Sequence, residues 1–404
     1  MFNNRKMNQV YALHWAGFDI NIDEAFSAGF SLIENSDFEG FQHAVTKLGA
    51  LDASWTYADC NGNIGYQLGT PVAVRPKSGN NFPVPGWTDE YEWQGFHPLS
   101  ETPHALNPAQ GWLATCNNKA DQTNLNYDLE GFYAVDRILS ITSLLNSRDK
   151  FSVSDMQSFQ MDLKDHYLLR WVKMIVPLLE ENNYMDQANQ LRSWNGITDI
   201  RSQETAFISL LLSNLKSTIF HDEIGDQADR ISNQTLETIF KLDESPWFDD
   251  INTPDVTETK DVVFRAAVDS TNSELGNKSW GDIHTLTMSH PFAVVPGISS
   301  LLNLKHGPFP WAGTPGSLNA SFFMKSADQP GHFNSIVGPS WRFVIDFSDI
   351  DGAAIVLPAG NSGNPMSSHF MDFFYMWKSG ARWNVPASYT KVKEKTETIL
   401  YLEP

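Results

Sequence analysis

The chain has 404 residues with 28 basic and 48 acidic side chains, a formal charge of −20 at pH 7. A surface this acidic repels phosphate backbones and anionic lipid headgroups, which argues against nucleic-acid and membrane-surface partners. Hydrophobic residues make up 41%, with 13 Trp, 26 Phe and 11 Tyr, so the chain is not a disordered one and has ample material for a core.

Two cysteines, Cys60 and Cys116, allow at most one bridge, and no CxxC pair exists. No apolar run reaches the length of about 18 residues that a membrane-spanning helix needs. The opening stretch MFNNRKMNQVYALHW lacks the apolar centre of a secretory leader. Taken plainly, this describes a cytoplasmic protein. The other reading is a chain that begins partway through something larger.

Composition divides the chain into three stretches, 1–130, 131–245 and 246–404. In the first, Phe26, Phe30, Ile33, Phe38, Phe41 and Val45 recur at three to five residues, which predicts two short helices packed on a sheet. Ser54–Asp59 alternates and reads as a strand, Asn61-Gly62 as a hairpin turn, and Ile64-Gly65-Tyr66 as the returning strand. From 131 to 245 Gly and Pro become scarce and helical periods take over. Ser152 followed by Asp155 reads as a capping box before Met156, Phe159 and Leu163. Tyr167–Leu179 reads as a buried helix, Trp194-Asn195-Gly196 as a turn, and Ala206–Ile219 as a further helix. The last stretch returns to Gly, Pro and aromatic residues. Arg342–Phe347 and Ala353–Leu357 read as strands, Leu357–Pro365 as a tight loop and Phe370–Trp377 as a helix.

Several constellations invite chemistry and few sustain it. Gly360–Gly363, GNSG, lacks the G-x-S-x-G spacing of a nucleophile elbow, so a structural turn is favoured. His284, His290, and His369 near Asp372 come without HExxH or paired helical spacing, which favours satisfied or surface histidines over metal ligands. No G-x-x-x-x-G-K loop occurs, and no organic cofactor is implied. Asp128, Glu130 and Asp136 stand near Arg137, either as a local ion-pair network or around an arginine that orders a site. Asn117-Asn118 is either a turn or a source of an amide donor for a developing oxyanion.

Read together, the ordered segments WTYADCNGNIGY (Trp55–Tyr66), FPVPG (Phe82–Gly86), Asn107-Pro108, GWLATCNN (Gly111–Asn118) and VDRIL (Val135–Leu139) carry a resemblance. So do Trp194-Asn195-Gly196, Gly307-Pro308-Phe309-Pro310, Gly338-Pro339-Ser340-Trp341-Arg342 with Asp346, and GNSGNPMSSH (Gly360–His369). The chain resembles the penicillin acylase family of N-terminal-nucleophile hydrolases, along the later part of its β chain and over nearly all 404 residues. The resemblance implies an α+β fold, part of an αββα sandwich with a helical insertion. Residues 1–130 then form a β-rich part with the oxyanion asparagine, 131–245 a helical subdomain, and 246–404 a β-rich segment completing the sandwich. It also implies hydrolysis of linear amide bonds in β-lactam side chains or N-acyl homoserine lactones. The family's nucleophile is the first residue of the β chain, its own α-amino group serving as base.

Carried over by residue, Asn117 matches the oxyanion-hole side chain and Arg137 the arginine that orders the nucleophile's surroundings. Asp128 stands where the family places a calcium-binding acid, which implies a structural calcium ion. Phe30 and Ala53 fall near acyl-pocket positions; ordinary core packing is the competing reading for both. Met1-Phe2 supplies no Ser, Thr or Cys as an N-terminal nucleophile. The expectation is a fragment or C-terminal half, inactive alone, whose partners are an upstream α chain, a nucleophile-bearing segment of the same precursor and an N-acyl amine substrate. The full-length protein would then be periplasmic or extracellular, as family members are commonly exported. The alternative is a catalytically inactive binding or assembly module that kept the fold. A sugar-cleaving protein ranks below both, because no pair of carboxylates is singled out for it.

Overall fold

The computed structural model describes residues 2–4, 9–34, 37–49, 53–76, 82–120, 125–127, 129, 131 and 133–402. Two compact units emerge, Met1–Ile138 and Leu139–Pro404.

In the first unit, β1 (Phe2–Asn4) pairs antiparallel with β2 (Gln9–Tyr11), followed by helices α1 (Ile22–Glu34) and α2 (Phe38–Lys47). Then come three antiparallel strands, β3 (Ser54–Ala58), β4 (Ile64–Leu68) and β5 (His104–Leu106), with β4 in the middle. The predicted hairpin forms around Gly62, at φ +86°. Asp59 closes it by accepting from the Asn61 and Asn63 amides, the Asn63 side chain and the Tyr57 hydroxyl. Those donors, the Asn63 side chain first, hold the Asp59 carboxyl down at about 2.

Asp37 caps α2 by accepting from the Gly40 N–H, and the helix buries Phe41, Ala44 and Val45 at helical spacing. Gln67, fully buried in β4, accepts from Gln42 Nε2 on α2 at 2.9 Å and donates to Thr102 Oγ1 at 3.0 Å, so α2 is tied to the sheet. The predicted packing of two helices on the sheet therefore holds for α2. Helix α1 lies beside α2 but buries only Ala28, leaving Ile22, Phe26, Phe30 and Ile33 in solvent.

Helix α3 (Asp136–Leu145) carries the chain into the second unit. Next stands α4 (Val153–Phe159), opened by the predicted capping box: Ser152 Oγ accepts from Asp155 N–H, and the Asp155 carboxylate accepts from Ser152 N–H at 2.8 Å. Helices α5 (His166–Glu181), α6 (Met185–Ser193), α7 (Gln203–Ile224), α8 (Asn233–Phe240), α9 (Lys260–Leu275) and α10 (Trp280–Ile283) follow. Helix α7 is buried on every side from Thr205 to Leu212, which makes it the centre of the helical core. Against it α5 sets Trp171, Ile175 and Leu179, and α9 sets Phe264, Ala267, Val268 and Leu275. Helices thus continue beyond the composition change near residue 245.

The remainder builds a four-stranded mixed sheet in the order β7-β6-β9-β8 from β6 (His284–Ser289), β7 (Lys305–Pro310), β8 (Phe322–Lys325) and β9 (Phe333–Val337). Helix α11 (Ile298–Leu301) lies between β6 and β7. A three-stranded sheet follows, with β10 (Arg342–Asp346) and β11 (Asp349–Val356) where strands are predicted and β12 (Trp383–Asn384) on the far edge of β11. The helix expected over Phe370–Trp377 starts later, as α12 (Phe374–Ser379), because turns occupy the residues before it. Buried Arg342 donates from its two terminal nitrogens, to Trp377 O at 2.6 Å and Asn319 Oδ1 at 2.8 Å, while its Nε has no partner among the described residues. The last helix is α13 (Tyr389–Lys395). The class is α+β, and among the described residues no helix is long and apolar enough to cross a membrane.

Candidate active site

The site begins where the chain leaves β5. Asn107, at φ +48°, accepts from the Ile64 N–H and donates to Asn63 Oδ1, both at 2.9 Å, which pins the start of the next loop to the β3–β4 turn. The loop reaches Asn117 at φ +60°, a left-handed conformation that asparagine tolerates better than most residues.

The two adjacent asparagines have different duties. Asn118 accepts from the Cys116 N–H and donates to the Lys119 carbonyl, each at 3.0 Å, so its side chain is spent on the turn. Asn117 Oδ1 instead accepts from Arg137 Nη2 at 2.6 Å, from the first turn of α3. A guanidinium carries donors only, so the amide oxygen must face it and the two amide hydrogens must face away. Arg137 therefore fixes which way the Asn117 amide points.

Asn117 and Arg137 line a cavity of about 840 Å³, together with Ala53, Tyr66, Trp93 and Cys116 among others. That volume suits a small-molecule site, for which about 300–1,000 Å³ is usual. One wall is layered: the His14 ring stacks on Trp93 at 3.9 Å, and the Arg75 guanidinium stands 5.4 Å from the centre of the Trp93 ring system. Tyr66 Oη lies 3.0 Å from Ser54 Oγ, and burial raises its pKa. Burial also pushes the Cys116 thiol up, with Arg137 pulling the other way. A thiol held protonated is a poor nucleophile. What the cavity does offer is an oriented amide donor beside a fixed positive charge. Such a pair suits negative charge developing on a substrate oxygen.

Of the sequence-predicted residues, Asn117, Arg137 and Ala53 come together on this cavity. Phe30 does not line it; it sits on α1, 70% exposed, in neither the cavity wall nor the core. Asp128 and Glu130 lie outside the described residues. Among the described residues no group of three or more His, Cys, Asp or Glu converges on one point. His14, Arg75 and Trp93 belong to no motif, and nothing local in the sequence points them at one another.

The histidines expected to be satisfied or superficial are so. His284 is sealed in the second unit with Nδ1 2.7 Å from the Trp311 carbonyl and Nε2 3.1 Å from Ser321 Oγ. Burial pushes it down to about 4, so it stays neutral there. His369 meets Asp372 at 2.8 Å on the surface. GNSG lies in an irregular loop, with no elbow geometry.

A sequence model of the penicillin amidase family matches residues 2–394. An acyl-homoserine lactone acylase, QuiP, of Pseudomonas syringae pv. tomato is 26% identical over 403 residues, 91% of this chain and 48% of that protein. The penicillin acylase 2 proenzyme of Pseudomonas sp. (strain SE83) is 24% identical over 378 residues, 88% of this chain and 47% of that one. The chain thus spans about half the length of the curated relatives it matches. Among solved structures, a thermostable penicillin G acylase from Alcaligenes faecalis superposes with a TM-score of 0.59 at 15% identity. That match covers 95% of this chain and 73% of that chain, and it shows a shared fold.

Proposed function

The chain belongs to the penicillin amidase family, and from that premise we propose that it carries the oxyanion-stabilising part of an amidase acting on N-acyl amines. The observation that carries the proposal is the Arg137–Asn117 hydrogen bond on the cavity wall, which leaves the Asn117 amide hydrogens free to donate. In the proposed reaction, an N-terminal hydroxyl from a segment upstream in the precursor attacks the amide carbon, and its own α-amine takes the proton. The carbonyl oxygen becomes an oxyanion and accepts from Asn117 Nδ2. Collapse expels the amine as it takes that proton from the α-ammonium; water, deprotonated by the same α-amine, then attacks the acyl-enzyme, and the acid leaves as the proton returns to the hydroxyl oxygen. Arg137 positions Asn117 and does not itself touch the reacting atoms. The substrate classes named for the relatives, acyl-homoserine lactones and penicillins, are those to try first. An upstream α chain is the proposed partner. The solvent-facing Ile22, Phe26 and Ile33 of α1 support that reading, since a row of large apolar side chains marks surface suited to burial.

The test is Asn117→Ala in the full-length precursor, assayed for release of free amine. Loss of one oxyanion donor lowers kcat by about 10²–10³-fold with KM little changed. An unchanged kcat removes Asn117 from the mechanism. Absence of turnover in the unsubstituted assembly, against every N-acyl amine tried, would favour the inactive binding module instead.

A further inference from the structure

A second cavity, of about 350 Å³, lies wholly within the second unit, between α7, α9 and the turn that joins β8 to β9. Its charged lining is divided. On β8, Lys325 Nζ donates to Ser217 Oγ at 2.8 Å and pairs with Asp229 at 2.7 Å. Asp229 also acts on the neighbouring half-buried Lys216, so two ammonium groups face this one carboxylate. An ammonium has three donors, and two of those on Lys325 are accounted for. Ser217 accepts from Lys325, which leaves its own proton to donate.

The α9 contribution has the opposite character. Glu274, half-buried on α9, takes one long hydrogen bond, from Asn214 Nδ2 at 3.4 Å, and no described cation pairs with it. The same Asn214 amide is held by Thr271 Oγ1 at 3.1 Å, so the donor beside the carboxylate is neutral and fixed. Opposite, Gly331 stands at φ +71°, and a Cβ there would come to 3.0 Å from Glu274 Oε2. Only glycine keeps that side of the carboxylate open. Leu210 and Phe333 give the cavity an apolar lining.

We infer that this cavity is a binding site for a small zwitterion of the α-amino-acid type. Its ammonium group would meet Glu274, its carboxylate would meet Lys325 and the Ser217 hydroxyl, and a short side chain would lie on Leu210 and Phe333. The volume lies at the small end of the range for ligand sites, about 300–1,000 Å³, and leaves room for a small zwitterion. The site is separate from the Asn117 cavity and does not depend on the amidase reading.

The test is calorimetric titration of the intact chain with L-alanine, with acetate and ethylammonium as half-ligands. L-Alanine should bind saturably, and each half-ligand at least about tenfold more weakly, since each forgoes one charge-assisted contact. Glu274→Gln and Lys325→Met should each weaken L-alanine binding by about tenfold or more. Gly331→Ala, which leaves every charge in place and crowds the carboxylate, should weaken it too. Circular dichroism identifies any variant that has lost its fold, and the half-ligand comparison on the unsubstituted chain needs no variant at all. No saturable binding of L-alanine, equal binding by either half-ligand, or full binding by folded Glu274→Gln would each overturn the inference.

Discussion

Replacing Arg137 by methionine keeps much of the side chain's length and removes the donor that holds the Asn117 amide. The bond lost is a 2.6 Å contact from a guanidinium to a neutral amide oxygen. Hydrogen bonds to charged groups contribute about 1.5–3 kcal/mol, and a half-exposed arginine belongs at the lower end of that range. Released, the amide samples orientations that turn its oxygen toward the cavity, where it would repel an oxyanion. The expected cost is a fall in kcat of about tenfold to thirtyfold, at about 1.4 kcal/mol per factor of ten. A double-mutant cycle in the full-length precursor separates positioning from direct action. If Arg137 works through Asn117, then Arg137→Met should change kcat by less than about 0.5 kcal/mol once Asn117 is alanine. The assay is amine release from an acyl-homoserine lactone, with kcat and KM resolved. Additive penalties in the cycle, or an effect of Arg137→Met confined to KM, would refute the positioning argument.

Two further outcomes concern stability. His284 is held neutral, with its pKa lowered by burial from 6.5 to about 4, so the unfolded chain takes up the proton first. Stability should therefore fall as pH drops below about 6.5 and level off near 4, a loss of about 3 kcal/mol. Urea unfolding followed by tryptophan fluorescence across that window should show a fall in stability that is smaller by about that amount in His284→Gln. Asp165, buried at the start of α5, accepts from the Leu168 N–H at 2.9 Å and from Thr314 Oγ1 at 2.5 Å. Asp165→Ala removes a cap and strands a buried hydroxyl, at a cost of about 3 kcal/mol by urea denaturation. A loss below about 1 kcal/mol would show that neither contact matters.

Much of the local architecture was legible in the residues themselves. The Ser152–Asp155 capping box, the Asn61-Gly62 hairpin and helices α5 and α7 close their hydrogen bonds within a few residues, so a short window of sequence contains every partner they need. Family membership was legible for a related reason, since the resemblance rested on the order and spacing of short segments and the family model matches residues 2–394. The start of α12 was not. The aromatic run Phe370–Trp377 satisfies a helical pattern, but its first residues are held in turns, with the Phe373 N–H bonded to the Ala359 carbonyl.

Sequence alone therefore determined the element types, the acidic surface and the pair Asn117 and Arg137 as candidates for chemistry. Tertiary structure decided what a linear pattern cannot contain. It spends Asn118 on its turn and gives Asn117 to Arg137. It gathers His14, Ala53, Trp93 and Arg137 around one cavity while leaving Phe30 in solvent. It also sets Glu274 and Lys325 on the same cavity, though they lie on a helix and a strand some fifty residues apart in the chain. Capping and turn formation are governed by neighbours in sequence. Cavity lining depends on packing between distant segments, and that packing exists only once the chain has folded.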